Sequence, residues 1–167
     1  MSKVEIIQNV DQAIEVMHNA GVWMAATGLN PSKWWKPENM NYKFMVKHAE
    51  PDEFYVAMVD GKPVASMVLQ DTERNQSWKS VDGNKPKKAL YVHWLCVHRD
   101  FAGQGLPKKM IAYVNSETKK RGFKRLRLDT DAGQQKLCKI YESLGFTLMG
   151  TEAEGEDSTA YFEKKIV

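Results

Sequence analysis

Residues 90–109 constrain this chain more than any other stretch. The apolar run Leu90 to Val97 reads as a strand, a turn containing Gly103 and Gly105 follows, and a basic helix opens directly after it. A turn that aims several backbone N–H groups from the positive end of a helix makes an anion site, most often for phosphate. Gly103 and Gly105 let the backbone approach an oxyanion without a Cβ in the way, and Lys108 and Lys109 add charge on the first helical turn. An ordinary strand-to-helix connection has the same spacing, so a second motif is needed to separate the two readings.

The remaining elements alternate. Val4 to Gln8 reads as a strand, and Asp11 is the expected N-cap of a helix with Ile14, Met17, Met24 and Ala25 on one face, ending at Gly28. Residues 28–37, with Trp34 and Trp35, form a loop, and Pro37 starts a second helix carrying Met40, Phe44 and Met45. Phe54 to Val59 and Pro63 to Gln70 flank Asp60-Gly61, a strong hairpin signal. Residues 71–88 form a long polar connection with one isolated Trp78. After the strand and basic helix come a strand with Phe123, Leu126 and Leu128, a helix with Leu137, Ile140, Tyr141 and Leu144 on one face, and two strands, Phe146 to Thr151 and Thr159 to Ile166. This order predicts an α/β fold with a mixed, mostly antiparallel sheet of about seven strands and flanking helices.

With 167 residues, 43% hydrophobic and 27% charged, the chain is expected to form one domain over residues 1–167. No apolar run approaches the roughly 20 residues of a bilayer span, so no membrane partner is expected. The first residues lack a signal-peptide pattern, which predicts a cytoplasmic protein. Cys96 and Cys138 are too few and too far apart for a disulfide framework or a zinc site, and read as small core residues. His18, His48 and His98 have no ligating spacing, so no metal is expected. The net charge is +3, but Lys108, Lys109, Lys119, Lys120, Arg121, Lys124, Arg125 and Arg127 fall within one 20-residue stretch. They form either a solvated face or a surface for a polyanion such as nucleic acid.

The stretch Val97 to Leu106 resembles the coenzyme-A-binding motif of the GNAT N-acetyltransferase superfamily, V-x-x-x-[YF]-R-G-x-G-[IL]-[GA], with Val97, Phe101, Gly103, Gly105 and Leu106 in register. Leu137-Cys138-Lys139-Ile140-Tyr141-Glu142-Ser143-Leu144-Gly145-Phe146 is similar to the family's L-x-x-[LI]-Y-E-x-x-G-F element. Two departures stand out. Ala102 replaces an Arg or Gln, and Pro107 replaces a small residue and removes one N–H from the first turn. The resemblance implies the GNAT fold, with acetyl-coenzyme A as co-substrate, a small-molecule or peptide amine as acceptor, and no metal; dimers are common in the family.

Residue by residue, the resemblance implies that Leu95, Cys96 and Val97 pair through their backbones with the pantetheine arm. Ala102, Gly103, Gln104, Gly105, Leu106, Lys108 and Lys109 take the pyrophosphate, and Gln134 stands where the family often has an Asn contacting the same cofactor. Tyr141 matches the tyrosine that protonates the leaving thiolate; otherwise it is an aromatic on the core face of its helix. His93 matches a strand position where some members carry a catalytic histidine. Imidazole ordinarily titrates near about 6.5 and suits the removal of a proton from an ammonium acceptor. The second histidine of those members is Tyr91 here, and His93 can equally be a hydrogen-bonded strand residue. Trp34 and Trp35 lie in the loop that borders the acceptor pocket in the family, where they either plug the core or form an aromatic wall. Glu152, Glu154, Glu156 and Asp157 make an acidic turn. The expected function is acetyl transfer from acetyl-coenzyme A to a primary amine by direct attack in a ternary complex. A non-catalytic acyl-coenzyme A-binding regulatory module and a nucleic-acid-binding domain are the alternatives.

Overall fold

The computed structural model describes residues 2–29, 34–73 and 77–167. Parts of the expected 28–37 loop and of the 71–88 connection lie outside them. Seven strands, β1 (Val4–Gln8), β2 (Phe54–Val59), β3 (Lys62–Gln70), β4 (Leu90–Val97), β5 (Arg125–Asp131), β6 (Thr147–Glu154) and β7 (Asp157–Lys165), hydrogen-bond in the order β1-β2-β3-β4-β5-β7-β6. The β4–β5 pair is parallel, whereas β1–β2, β2–β3, β5–β7 and β6–β7 are antiparallel, which gives the mixed, mostly antiparallel sheet expected. The helices are α1 (Val10–Thr27), α2 (Tyr42–Met45), α3 (Lys79–Asp82), α4 (Leu106–Lys120) and α5 (Gln135–Ser143). The chain divides into two compact units, Met1–Leu69 with His93–Tyr113, and Gln70–Val92 with Val114–Val167.

In the first unit, α1 is capped two residues before the expected position. Asn9 is extended, and its side-chain oxygen accepts the Gln12 N–H at 3.0 Å. Asp11 instead places its charge in the first turn, where it favours the helix dipole. Ala13, Ile14, Val16 and Met17 pack against Phe54, Val56 and Val68 of the sheet, each large side chain contributing about 1.5–3 kcal/mol on burial. The helix expected from Pro37 is broken into a 3-10 turn (Pro37–Asn39) and the short α2. Asn41 causes the break, because its side chain accepts the Phe44 N–H at 2.9 Å and so caps a new helix. Asp60 and Gly61, at φ of 49° and 77°, make the two-residue turn that joins β2 to β3.

In the second unit, Tyr141 of α5 packs its ring on Phe146 and Phe162. The expected polar connection carries α3, and Trp78 at its start is only 2% exposed. Trp78 meets Tyr161 and Tyr91 edge-on at 5.1 and 6.2 Å, and the Arg127 guanidinium carbon stands 4.2 Å from its ring centre. Arg127 is fully buried. It donates two hydrogen bonds of 2.7 Å to Asp82 and one of 2.8 Å to Glu163. Its place in the basic stretch is therefore internal: an alternating strand, Arg125 to Asp131, turns one cation of the run inward.

Burial alone would raise the Asp82 pKa. The Arg127 hydrogen bonds, the Lys87 N–H and the Arg127 charge outweigh that effect and hold it below the ordinary 3.8. A carboxyl with a depressed folded-state pKa stabilises the fold fully above 3.8, and the contribution is lost as pH falls through the lower folded value. Urea midpoints measured from about pH 7 down to pH 2 should therefore decline at the acid end, and Asp82→Asn should flatten that decline. Arg127→Met strands two buried carboxylates and should cost about 3–5 kcal/mol near neutral pH in the same measurement.

Candidate active site

The first unit holds the strand-turn-helix segment. The parallel ladder of β4 with β5 runs only from Leu90↔Leu126 to Val92↔Leu128. Two residues past its end, Trp94 takes a φ of 56°, a conformation that a bulky residue adopts only when its surroundings impose it. The Trp35 ring, centred 5.1 Å away, supplies the packing, and Trp94 and Cys96 both border the core of this unit. His93 and Leu95 flank the irregularity, and both are partly exposed.

After β4 the backbone is tied down and then released. The His98 N–H donates to Val64 O at 2.9 Å, the Phe101 N–H to His98 O at 2.9 Å, and the Ala102 N–H to Arg99 O at 3.3 Å. The His98 Nδ1 accepts the Asp100 N–H at 3.3 Å. From Gly103 onward the pattern changes. Among the described residues, no hydrogen bond within the protein engages the N–H groups of Gly103, Gln104, Gly105, Leu106 or Lys108. Gly103 and Gly105 have φ of 79° and 72°, yet a Cβ at either would meet nothing within 4 Å. Backbone conformation, rather than room, makes them glycine. Pro107 falls in the first turn of α4 and leaves a gap in the row of donors, while Lys108 and Lys109 are exposed beside it. Exposed N–H groups at a helix N-terminus with two adjacent cations fit a phosphate or pyrophosphate.

The Cys96 thiol lies 3.4 Å from the Ser66 hydroxyl. Burial pushes its pKa up to about 12, so it stays a thiol at neutral pH and is a poor nucleophile. The two tryptophans have different surroundings. Trp35 turns to the core against Trp94, whereas Trp34 is 44% exposed and packs on Phe44 and His48.

In the second unit, Tyr141 is 6% exposed on the sheet-facing side of α5. Gln134 precedes α5 and is partly exposed, its N–H donating to Asp131 O at 3.1 Å. Of the acidic turn, Glu152 accepts the Tyr161 hydroxyl proton at 2.9 Å, and Glu154, Glu156 and Asp157 are exposed. Among the described residues no group of three His, Cys, Asp or Glu side chains could hold a metal ion, and no helix is long and apolar enough to cross a membrane. Two features escaped the sequence: the Arg127 network, and a contact from α1 in which Asn19 and Trp23 reach Arg99. The only hint of the second was an Asn and a Trp four residues apart on one helix face.

The model of the acetyltransferase (GNAT) family matches residues 21–146. The uncharacterised N-acetyltransferase YesJ of Bacillus subtilis (strain 168) is 34% identical over 85 residues, which cover 51% of this chain and 44% of YesJ. The chain thus spans less than half the length of that relative. A GNAT-family acetyltransferase from Listeria monocytogenes superposes with a TM-score of 0.72 at 19% identity, covering 98% of this chain and 94% of that one. The PaiA N-acetyltransferase of Thermoplasma acidophilum, solved with coenzyme A, gives 0.68 at 18% identity, covering 98% and 99%. At these identities the likeness is one of fold.

The turn carries its own test. Gly105→Val should cost about 1–2 kcal/mol in chemical unfolding, because a β-branched residue is strained at positive φ even in open space. Gly105→Asn should cost less, since asparagine tolerates that region. Equal losses would show that room rather than conformation selects glycine here.

Proposed function

The chain belongs to the GNAT acetyltransferase family, and from that premise we propose that it moves the acetyl group of acetyl-coenzyme A to a primary amine by direct attack in a ternary complex. The observation that carries this reading is the row of unengaged N–H groups from Gly103 to Lys108, set by two left-handed glycines at the head of α4. The pyrophosphate accepts from Gly103, Gln104, Gly105, Leu106 and Lys108, with Lys108 and Lys109 neutralising its charge. Pro107 removes one donor from the set and Ala102 contributes no cation. The Leu95, Cys96 and Val97 backbones pair with the pantetheine arm as an added strand.

The chemistry asks for three acts. His93 takes a proton from the acceptor ammonium and leaves a neutral amine. The amine nitrogen attacks the thioester carbonyl carbon, the C–S bond breaks, and the new amide nitrogen sheds its surplus proton to solvent. The departing thiolate takes a proton from the Tyr141 hydroxyl, and solvent reprotonates the phenolate. A phenol titrating near about 10 donates to a thiolate whose acid titrates near about 8.5 only when held within hydrogen-bond reach, so position decides. The Cys96 thiol, whose pKa burial raises, is a poor nucleophile for a preceding covalent step, which supports direct transfer. The exposed Trp34 face favours an organic cation as acceptor, a contact worth about 0.5–2 kcal/mol.

A second reading, binding of an acyl-coenzyme A without turnover, draws on the core packing of Tyr141. Tyr141→Phe keeps that packing. Under the catalytic reading it should lower kcat by roughly 10²-fold on a good acceptor, with acetyl-coenzyme A binding preserved. Full turnover in this variant would return the tyrosine to the core. Acetyl-coenzyme A at 100 times its Kd should add about 2.7 kcal/mol of stability in a thermal scan; no shift at millimolar ligand would defeat both readings.

A further inference from the structure

The unengaged N–H row begins where the bonded part of the turn ends, and that bonded part is held from an unexpected direction. The Arg99 backbone N–H donates to the Asn19 Oδ1 at 2.9 Å, across 80 positions of sequence. One helical turn along α1, the Trp23 ring lies 3.6 Å from the Arg99 guanidinium carbon. The Arg99 Nε is buried and makes no hydrogen bond within the protein, so the aromatic face is the partner identified for that edge of the charge. A buried guanidinium edge without a hydrogen bond is costly to keep. Arg99 in turn accepts the Ala102 N–H at 3.3 Å, the last backbone bond before Gly103.

We propose that Asn19 and Trp23 clamp Arg99 from main chain and side chain at once and so preset the Gly103–Lys108 donors for the pyrophosphate of coenzyme A. The two residues are positioning residues that act through Arg99 and touch no substrate. The clamp rests on the coenzyme A reading above. Its physical basis is preorganisation: donors already aligned lose less freedom when the anion arrives, and slack in the turn is subtracted from affinity. Neither Ala102 nor Pro107 adds a contact to the anion, which leaves affinity more dependent on how well the remaining donors are held.

Calorimetric titration of acetyl-coenzyme A into the wild-type chain and three variants tests this without an acceptor. Asn19→Ala deletes the oxygen that takes the Arg99 N–H and should raise Kd by about tenfold, the scale of one hydrogen bond. Asn19→Asp keeps an acceptor oxygen at that place and should bind within about twofold of wild type, a rescue that a general packing role would not produce. Trp23→Leu keeps apolar bulk but removes the π-face. It should weaken binding about threefold or more, and it carries the test should Asn19→Ala fail to fold. Melting of each ligand-free variant is measured alongside. Wild-type binding that Asn19→Ala and Trp23→Leu leave unchanged overturns the clamp alone. So does an equal loss in Asn19→Ala and Asn19→Asp. No binding by the wild-type chain overturns the coenzyme A reading itself, and the clamp with it.

Discussion

Trp94 sits at a φ of 56° in the middle of β4, and the geometry of the segment that follows starts from that irregularity. A left-handed conformation costs a residue with a Cβ about 1–2 kcal/mol, and in a strand it also interrupts the ladder. The penalty is met by aromatic packing: Trp35 closes on Trp94, and both border the Met17, Met45 and Phe54 core. The strand therefore resumes for Leu95, Cys96 and Val97 on a course set by side-chain packing rather than by β-pairing alone. His98, tied to Val64, then delivers the chain into the turn.

The second unit solves a different problem. Its sheet face carries Arg127, Tyr91, Tyr161 and Glu163, which bare exposure would leave hydrated and mobile. The segment Trp78–Asp82 covers them, with the indole lying across the guanidinium and the Asp82 carboxylate gripping both of its terminal nitrogens. Removing a cation from water is costly, and a fork-shaped donor matched by two carboxylates is the arrangement that offsets it best. The Lys87 N–H completes the Asp82 site and pins the far end of the connection.

Much of this was legible in the residues. Helical and alternating periods placed most elements, Asp60-Gly61 placed its hairpin, and the glycine spacing with the Leu137 to Phe146 pattern marked the segments that bear the family resemblance. The misses have local causes. Two asparagines outbid other signals for helix starts, Asn9 over Asp11 and Asn41 against a continuous helix from Pro37, because a short side chain that reaches an N–H two or three residues on is decided by geometry rather than by period. Trp78 looked isolated because its partners Tyr91, Arg127 and Tyr161 come from strands far along the chain. Asn19 and Arg99 were invisible as a pair for the same reason: a hydrogen bond between residues 80 positions apart leaves no periodic trace.

The last strand in the hydrogen-bonding order, β6, ends the sheet with most of its residues exposed, Leu148 and Met149 among them. An exposed sheet border is a template on which further strands can stack without limit. Two details spoil the template. The register with β7 slips between Leu148 and Gly150, which twists the border out of line, and Glu152 and Glu154 load its far half with negative charge. A second strand laid along β6 would meet a kink at one end and like charge at the other if it came from another copy. The border can thus stay open to water in a crowded solution without seeding fibres.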